Sequence, residues 1–259
     1  MTKMKISVLY LGRLEFLKKH LVSCGNDQEI IQCLVPALLI EHPTMGNILY
    51  DTGCTPLYNT EHSKVILDNF PVTEFISIED ALAQKGLKPS DIDILILSHL
   101  HFDHSGGLKY FVGTKAIENV IIAEDDLKQA YSSVMTGDEK AYCRALFDVK
   151  GIQFKTISDT YSLAEDITLF VQKCHTPGVI GLILKTENHG TIITTSDTIY
   201  TRESYEKQIP PGGHNSKSQK DFFVNLQRIN QLKEEHQGTL FFGHDENQIN
   251  EWCQKECID

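Results

Sequence analysis

The chain has 259 residues, 41% hydrophobic and 23% charged, the balance of a soluble globular protein able to bury a substantial core. A formal net charge of -11 repels phosphate backbones, which sets nucleic acid aside as a partner. No apolar run approaches the roughly 20 residues of a membrane span, and Met1 to Tyr10 has neither the apolar core nor the cleavage site of a signal peptide, so a cytoplasmic chain without membrane contact is expected.

In chain order, Met4 to Leu11 reads as an opening strand. Val35 to Glu41 reads as a second, with Pro36 placing it at an edge or a bend. The segment Leu11 to Cys33 between them mixes apolar and charged residues, a composition that admits a lid without indicating one. Turn residues His42 to Asn47 lead into Ile48-Leu49-Tyr50 and the polar loop Asp51-Thr52-Gly53, the pattern of a hairpin. Ser77 is placed to cap a helix running from Ile78 to about Lys85 and ending at Gly86. Ile92 to Leu97 is a nearly continuous apolar run of the kind seen in strands buried on both faces, and it ends directly at Ser98-His99.

The second half repeats the pattern loosely. Val120 to Ala123 reads as a strand and Glu124 to about Val134 as a helix. Thr168 to Gln172, Gly181 to Lys185 and Thr191 to Thr195 read as strands, Ser216 to about His236 as the longest helix, and Thr239 to Phe242 as a last strand ending at Gly243-His244. Strands outnumber helices, and the two halves resemble β-then-α modules packed face to face. Seven scattered cysteines (24, 33, 54, 143, 174, 253, 257) with no CxxC pair fit a reducing cytoplasm. Cys253 and Cys257 are too few for a zinc shell of their own.

Chemistry concentrates in Ser98-His99-Leu100-His101-Phe102-Asp103-His104-Ser105-Gly106-Gly107. The segment follows a strand's carboxyl end, where open α/β sheets place their sites. His99 and His101, two apart, point the same way in an extended turn. Asp103 and His104 follow once the chain has bent, and Gly106 and Gly107 let it turn away without a Cβ clash. Imidazole and carboxylate together suit zinc, iron, nickel and manganese. His175, Asp197 and His244 each end a predicted strand. Alone, each reads as an ordinary loop residue. With the cluster they complete two metal sites: His99, His101 and His175 in one, Asp103, His104 and His244 in the other, and Asp197 bridging. Asp51 suits a carboxylate that orients a liganding imidazole. Phe102 fits an acyl pocket or simple packing, and His214, among prolines and glycines, reads as solvent-exposed.

This constellation resembles the metallo-β-lactamase superfamily, and within it the N-acyl homoserine lactone lactonases. The closer resemblance is carried by Asp51-Thr52-Gly53, Ser98 to Gly107, Asp197-Thr198-Ile199-Tyr200-Thr201 and Phe241-Phe242-Gly243-His244-Asp245. It implies a single α/β domain over 1–259, an αβ/βα four-layer sandwich with two facing mixed sheets. It implies two divalent metal ions, zinc first, with iron, manganese or cobalt as alternatives. The implied reaction opens a lactone by attack of a metal-bridging hydroxide, with Tyr200 donating to the carbonyl or oxyanion and Asp103 or Asp197 passing a proton to the leaving alkoxide. The implied partner is a small lactone or ester, and the implied assembly a monomer or homodimer. One departure stands out: Val179-Ile180-Gly181 follows His175-Thr176-Pro177-Gly178 where the superfamily often carries another histidine.

A glyoxalase II-like thioester hydrolase, or another carboxylic-ester hydrolase of the superfamily, is the enzyme alternative. The former wants a basic clamp for its anionic peptide, and Glu251 to Asp259 offers none. Penicillin-hydrolysing enzymes usually carry a cysteine or other ligand in the second site, diiron flavoproteins have a glutamate where His101 stands, and a nuclease is opposed by the negative charge. A metal-dependent sensor is the non-enzyme alternative.

Overall fold

The computed structural model describes residues 3–23, 28–212 and 216–259, the side chains of 216–218 excepted. Cys24 and His214 lie outside the described residues. Among those described, the strands are β1 (Lys5–Leu17), β2 (Ile30–His42), β3 (Gly46–Tyr50), β4 (Val72–Phe75), β5 (Ile94–Ile96), β6 (Val120–Ala123), β7 (Phe154–Ile157), β8 (Tyr161–Ser162), β9 (Ile167–Cys174), β10 (Thr176–Lys185), β11 (Thr191–Ser196) and β12 (Thr239–Phe242). They form two mixed sheets, β4-β1-β2-β3-β5-β6-β7 and β12-β11-β10-β9-β8. In the first, β3, β5, β6 and β7 run parallel. In the second, only β11 and β12 do.

The sheets face each other across one apolar layer. Ile6, Ile40, Ile48 and Ile96 of the first meet Leu169, Ile180, Leu182 and Phe241 of the second. Leu39, Leu49 and Leu95 leave the first sheet's other face and pack on Leu82, Phe111 and Phe147. Phe170, Ile183 and Ile193 leave the second sheet's outer face toward Phe222 and Ile229 of the helix Ser216–His236. The result is a four-layer α/β sandwich. The continuous apolar run around β5 follows from this architecture, since Ile94 and Ile96 fill the layer between the sheets while Leu95 serves the outer core. Two hydrogen bonds join the layers near the middle: Tyr50 Oη donates to Ile180 O at 2.6 Å, and Ile180 N donates to Ser98 O at 2.8 Å.

Several elements run longer than their patterns indicate. β1 continues past Leu11 to Leu17, so the mixed segment is a β1–β2 arm with the short helix Lys18–Leu21 at its tip. The extension is masked in sequence because a register shift between Tyr10 and Arg13 breaks the alternation. Pro36 pairs with Tyr10 at that irregularity, where a missing N–H costs nothing. β10 starts at Thr176, so the stretch after His175 is strand. Ser77 caps Ile78–Gln84 by accepting from Asp80 N at 3.0 Å.

Candidate metal centre and catalytic site

The parallel topology sends strand ends to one rim. Asp51 follows β3, His99 follows β5 by three residues, Asp197 follows β11, His244 follows β12, and His175 is the single link between β9 and β10. Three of these corners hold non-glycine residues in left-handed backbone: Asp51 (φ 65°), His175 (φ 67°) and Ser196 (φ 45°). Strain of this kind persists where the surroundings dictate it, and here it aims side chains at one point. Phe102–Ser105 makes one helical turn after His101, bringing Asp103 and His104 beside His99.

The expected donors converge. His175 Nε2 lies 3.1 Å from His99 Nε2 and 2.8 Å from His101 Nδ1. Asp197 faces both halves. Its Oδ2 is 3.3 Å from His175 Nε2 and 3.8 Å from His99 Nε2, while its Oδ1 is 3.3 Å from His104 Nε2 and 3.1 Å from His244 Nε2. Asp103 Oδ2 stands 3.6 Å from His104 Nε2 and 3.9 Å from His244 Nε2. Three overlapping groups result, each with its donor atoms within 4.8 Å: His99–His101–His175, His99–His104–Asp197 and Asp103–His104–His244.

The outward nitrogens explain the inward ones. His244 Nδ1 is 2.7 Å from Leu34 O, which can only accept, so Nδ1 carries the hydrogen and Nε2 presents a lone pair. His104 Nδ1 lies 2.9 Å from Asp51 Oδ2, and His99 Nδ1 lies 3.0 Å from Ser98 Oγ, whose own hydrogen goes to Asp51 at 2.8 Å. Asp51 also accepts from Ser98 N at 2.7 Å. Such partners fix tautomer and ring direction in metal sites. His104 Nε2 and Asp197 Oδ1 are buried without a hydrogen-bond partner. Lone pairs aimed at one another, orphaned buried donors and a purely imidazole–carboxylate set fit divalent metal. Burial, reinforced by His104 and His101, lowers His99 and keeps it neutral, whereas the carboxylates of Asp197, Asp103 and Asp51 outweigh burial at His104 and favour positive charge at its ring. Burial alone would raise Asp197, but His244, His104 and His175 hold its carboxyl well below the usual range.

The centre floors a cavity of about 480 Å³. Leu14, Phe16 and Leu21 from the β1–β2 arm, with Phe70 and Phe102, form its apolar wall, and among the described residues Lys140 is the one lining Lys or Arg. Phe102 therefore both lines the cavity and packs, edge-on against His62 at 4.8 Å. Tyr200 is buried at the cavity floor with Oη 2.7 Å from His175 Nδ1, and burial together with Asp197 and Asp103 pushes its pKa well above the ordinary value.

Gly106 and Gly107 avoid a Cβ clash, as expected, though not through unusual backbone angles. Both have ordinary helical backbone. They are needed for close approach: a Cβ on Gly106 would sit 2.4 Å from Thr55 N, and one on Gly107 2.3 Å from Thr52 O. The histidine cluster is thereby pressed onto the loop that carries Asp51. Sequence reasoning missed Asp126, which stands behind the cluster, Tyr142, which joins Asp126 to the cavity wall, and Cys33, which lines the cavity beside His244. Asp126 looks like any acid in a helix's first turn, and nothing local ties it to Leu100. No two of Cys33, Cys54, Cys143, Cys253 and Cys257 are joined in a disulfide among the described residues.

Fold and donor set together define a metal-dependent hydrolase. The chain belongs to the metallo-beta-lactamase superfamily, whose family model matches residues 30–244. An N-acyl homoserine lactonase of a Bacillus species is 28% identical over 255 residues, covering 95% of this chain and 94% of that relative. The N-acyl homoserine lactonase AttM of Rhizobium radiobacter is 28% identical over 263 residues with the same coverage. Among solved structures, a quorum-quenching N-acyl homoserine lactone hydrolase superposes with a TM-score of 0.78 at 25% identity, covering all of this chain and 97% of that one. An N-acyl homoserine lactone hydrolase with N-hexanoyl-L-homoserine at its catalytic metal centre gives 0.82 at 24% identity, with 97% of each chain covered.

Proposed function

We propose that this chain opens the lactone ring of N-acyl homoserine lactones, with two divalent metal ions, zinc first, held by His99, His101, His175, Asp103, His104 and His244 and bridged by Asp197. The observation that carries the reading is a cavity with an apolar wall of Leu14, Phe16, Leu21, Phe70 and Phe102 above a floor made of the donor cluster and Tyr200. A neutral ring with a greasy tail fits it. The names of the relatives support the same substrate class, as N-acyl homoserine lactonases. Strands of both sheets feed one rim, which supports reading 1–259 as one catalytic unit, and Cys33, Cys54, Cys143, Cys253 and Cys257, unbridged among the described residues, suit the cytoplasm. No helix among the described residues is long and apolar enough to cross a membrane.

Bound metal supplies a Lewis acid and a water acidic enough to act as nucleophile near neutral pH. The side chains do the rest. With His175 Nε2 turned inward, its Nδ1 hydrogen is donated to Tyr200 Oη, which leaves the Tyr200 O–H free for the acyl oxygen. Its raised pKa keeps that hydrogen in place through neutral pH, so Tyr200 stabilises the developing oxyanion as a neutral donor. Water adds to the carbonyl carbon, the ring C–O bond breaks, and Asp103 carries the water's proton to the departing alkoxide. Ser98 and Asp51 keep His99 and His104 in register meanwhile.

A glutathione thioester would bring an anionic peptide to a cavity where, among the described residues, Lys140 is the one lining Lys or Arg, and Lys140 already pairs with Asp138 at 3.2 Å. A panel of acyl homoserine lactones, an aliphatic lactone, a glutathione thioester and a phosphodiester, each offered to metal-loaded protein, tests the reading. Acyl homoserine lactones should give the highest kcat/KM. Thioester cleavage without lactone opening would replace this reading with the glyoxalase-type one, and no turnover at all would favour a sensor.

A further inference from the structure

We propose that Asp126 is the positioning residue for the three-histidine half of the centre, a single carboxylate that ties together the chain segments bearing His99, His101 and His175. This rests on the reading above that those histidines hold a metal.

Asp126 lies in the first turn of the helix Glu124–Thr136, which begins directly after β6, and its side chain is fully buried. Its Oδ2 accepts from Leu100 N at 2.8 Å, and Leu100 is the residue between His99 and His101. Its Oδ1 accepts from Tyr142 Oη at 2.7 Å. Thr176, the residue after His175, lies close enough for its hydroxyl to favour the ionised carboxyl. Tyr142 carries the tie one step further. Its ring meets that of His101 edge-on at 4.7 Å, and its backbone pairs with His101 as an isolated antiparallel bridge. The helix start also touches the first residues of β10, since a Cβ on Gly178 would lie 2.7 Å from Ala123 Cβ and 3.2 Å from Asp126 N.

The centre needs such a tie. The His175 Nε2 lone pair faces nitrogens of His99 and His101 at 3.1 and 2.8 Å, a repulsive arrangement on its own, so without restraint the His99–His101 turn and the β9–β10 corner would spread. A tie that holds both segments leaves less reorganisation for an incoming ion, which is how partners behind a metal site raise affinity. A bare packing role does not explain the acid: burial pushes its pKa up to about 6, a cost that an amide or an apolar side chain would avoid. What the carboxylate adds is two acceptor oxygens, one for the Leu100 N–H and one for the Tyr142 hydroxyl, with lone pairs left over on the side of Thr176.

The test is Asp126→Asn in the full chain. Asparagine keeps the shape but has one acceptor oxygen. Zinc retention against a graded chelator, read as equivalents held per chain, should show one equivalent bound roughly 10–100-fold more weakly and the other as in the native chain. Turnover should recover at saturating zinc with KM unchanged. Tyr142→Phe removes one hydroxyl only and should weaken the same equivalent roughly threefold to tenfold. It decides the matter if Asp126→Asn does not fold. Native-like retention of both equivalents would overturn the proposal, and so would parallel loss of both with a lowered Tm, which marks a general folding role. A native chain that holds zinc but opens no lactone would refute the proposed activity and leave this inference standing. A native chain that takes up no metal would sink both.

Discussion

Tyr200 and His62 show how single side chains divide the chemistry. Among the described residues Tyr200 Oη hydrogen-bonds the outer nitrogen of His175, and the cavity lets water replace that contact. Tyr200→Phe should therefore keep its zinc content while kcat falls roughly a hundredfold, the usual loss when one oxyanion donor is removed. Steady-state kinetics beside metal analysis checks it, and unchanged turnover takes Tyr200 out of the mechanism. His62 is 5% exposed, both ring nitrogens lack hydrogen-bond partners, and burial lowers its pKa to about 4 despite the neighbouring Glu61. The folded state therefore refuses a proton that the unfolded chain accepts once the pH drops through about 6.5. Its share of stability is complete above that pH and is lost as the pH falls toward 4, a difference of ~3 kcal/mol. Urea unfolding at pH 7 and pH 4.5 should show a smaller acid loss in His62→Leu than in the native chain; equal losses would place the acid sensitivity elsewhere.

At the scale of elements, legibility followed the range of the forces involved. The helix Ser216–His236 and the strand Thr239–Phe242 match their patterns because local periodicity and nearby stop signals set them. The far halves of β1 and β2 were hidden, because their pairing is long-range and β1 is broken by an irregularity. β4, β7 and β8 were not anticipated; each is four residues or shorter and borrows its order from a neighbouring strand. The glycines after His104 were recognised as necessary for a turn, but their real constraint is a loop some fifty residues earlier in the chain, and contact at that separation leaves no local trace. Gly106→Ala should cost roughly 1–3 kcal/mol, as overpacking does. It should also weaken zinc binding, because the backbone that must yield is the loop following Asp51. Denaturant unfolding with and without zinc would show both effects; native-like stability would mean the loop shifts freely.

Across the whole molecule, the donor set was readable because four donors stand in one short motif after β5 and His175, Asp197 and His244 each follow a strand, and strand ends of two facing sheets gather at one rim. Residue types and spacing alone therefore pointed to His99, His101, Asp103, His104, His175, Asp197 and His244, all of which the fold brings together. The layer around them was not readable. Leu34 O, Asp126 and Tyr142 act through positions that only the closed fold defines. The same holds for the cavity wall, since the β1–β2 arm contributes Leu14, Phe16 and Leu21 by pairing with distant sequence. The central claim is that two metal ions at this rim make a lactone-opening enzyme. It is tested most directly by stripping the protein of metal and titrating zinc back while following hydrolysis of an acyl homoserine lactone. Activity should rise and saturate at two equivalents per chain. Saturation at one equivalent, or lactone hydrolysis that persists in the stripped protein, would contradict it.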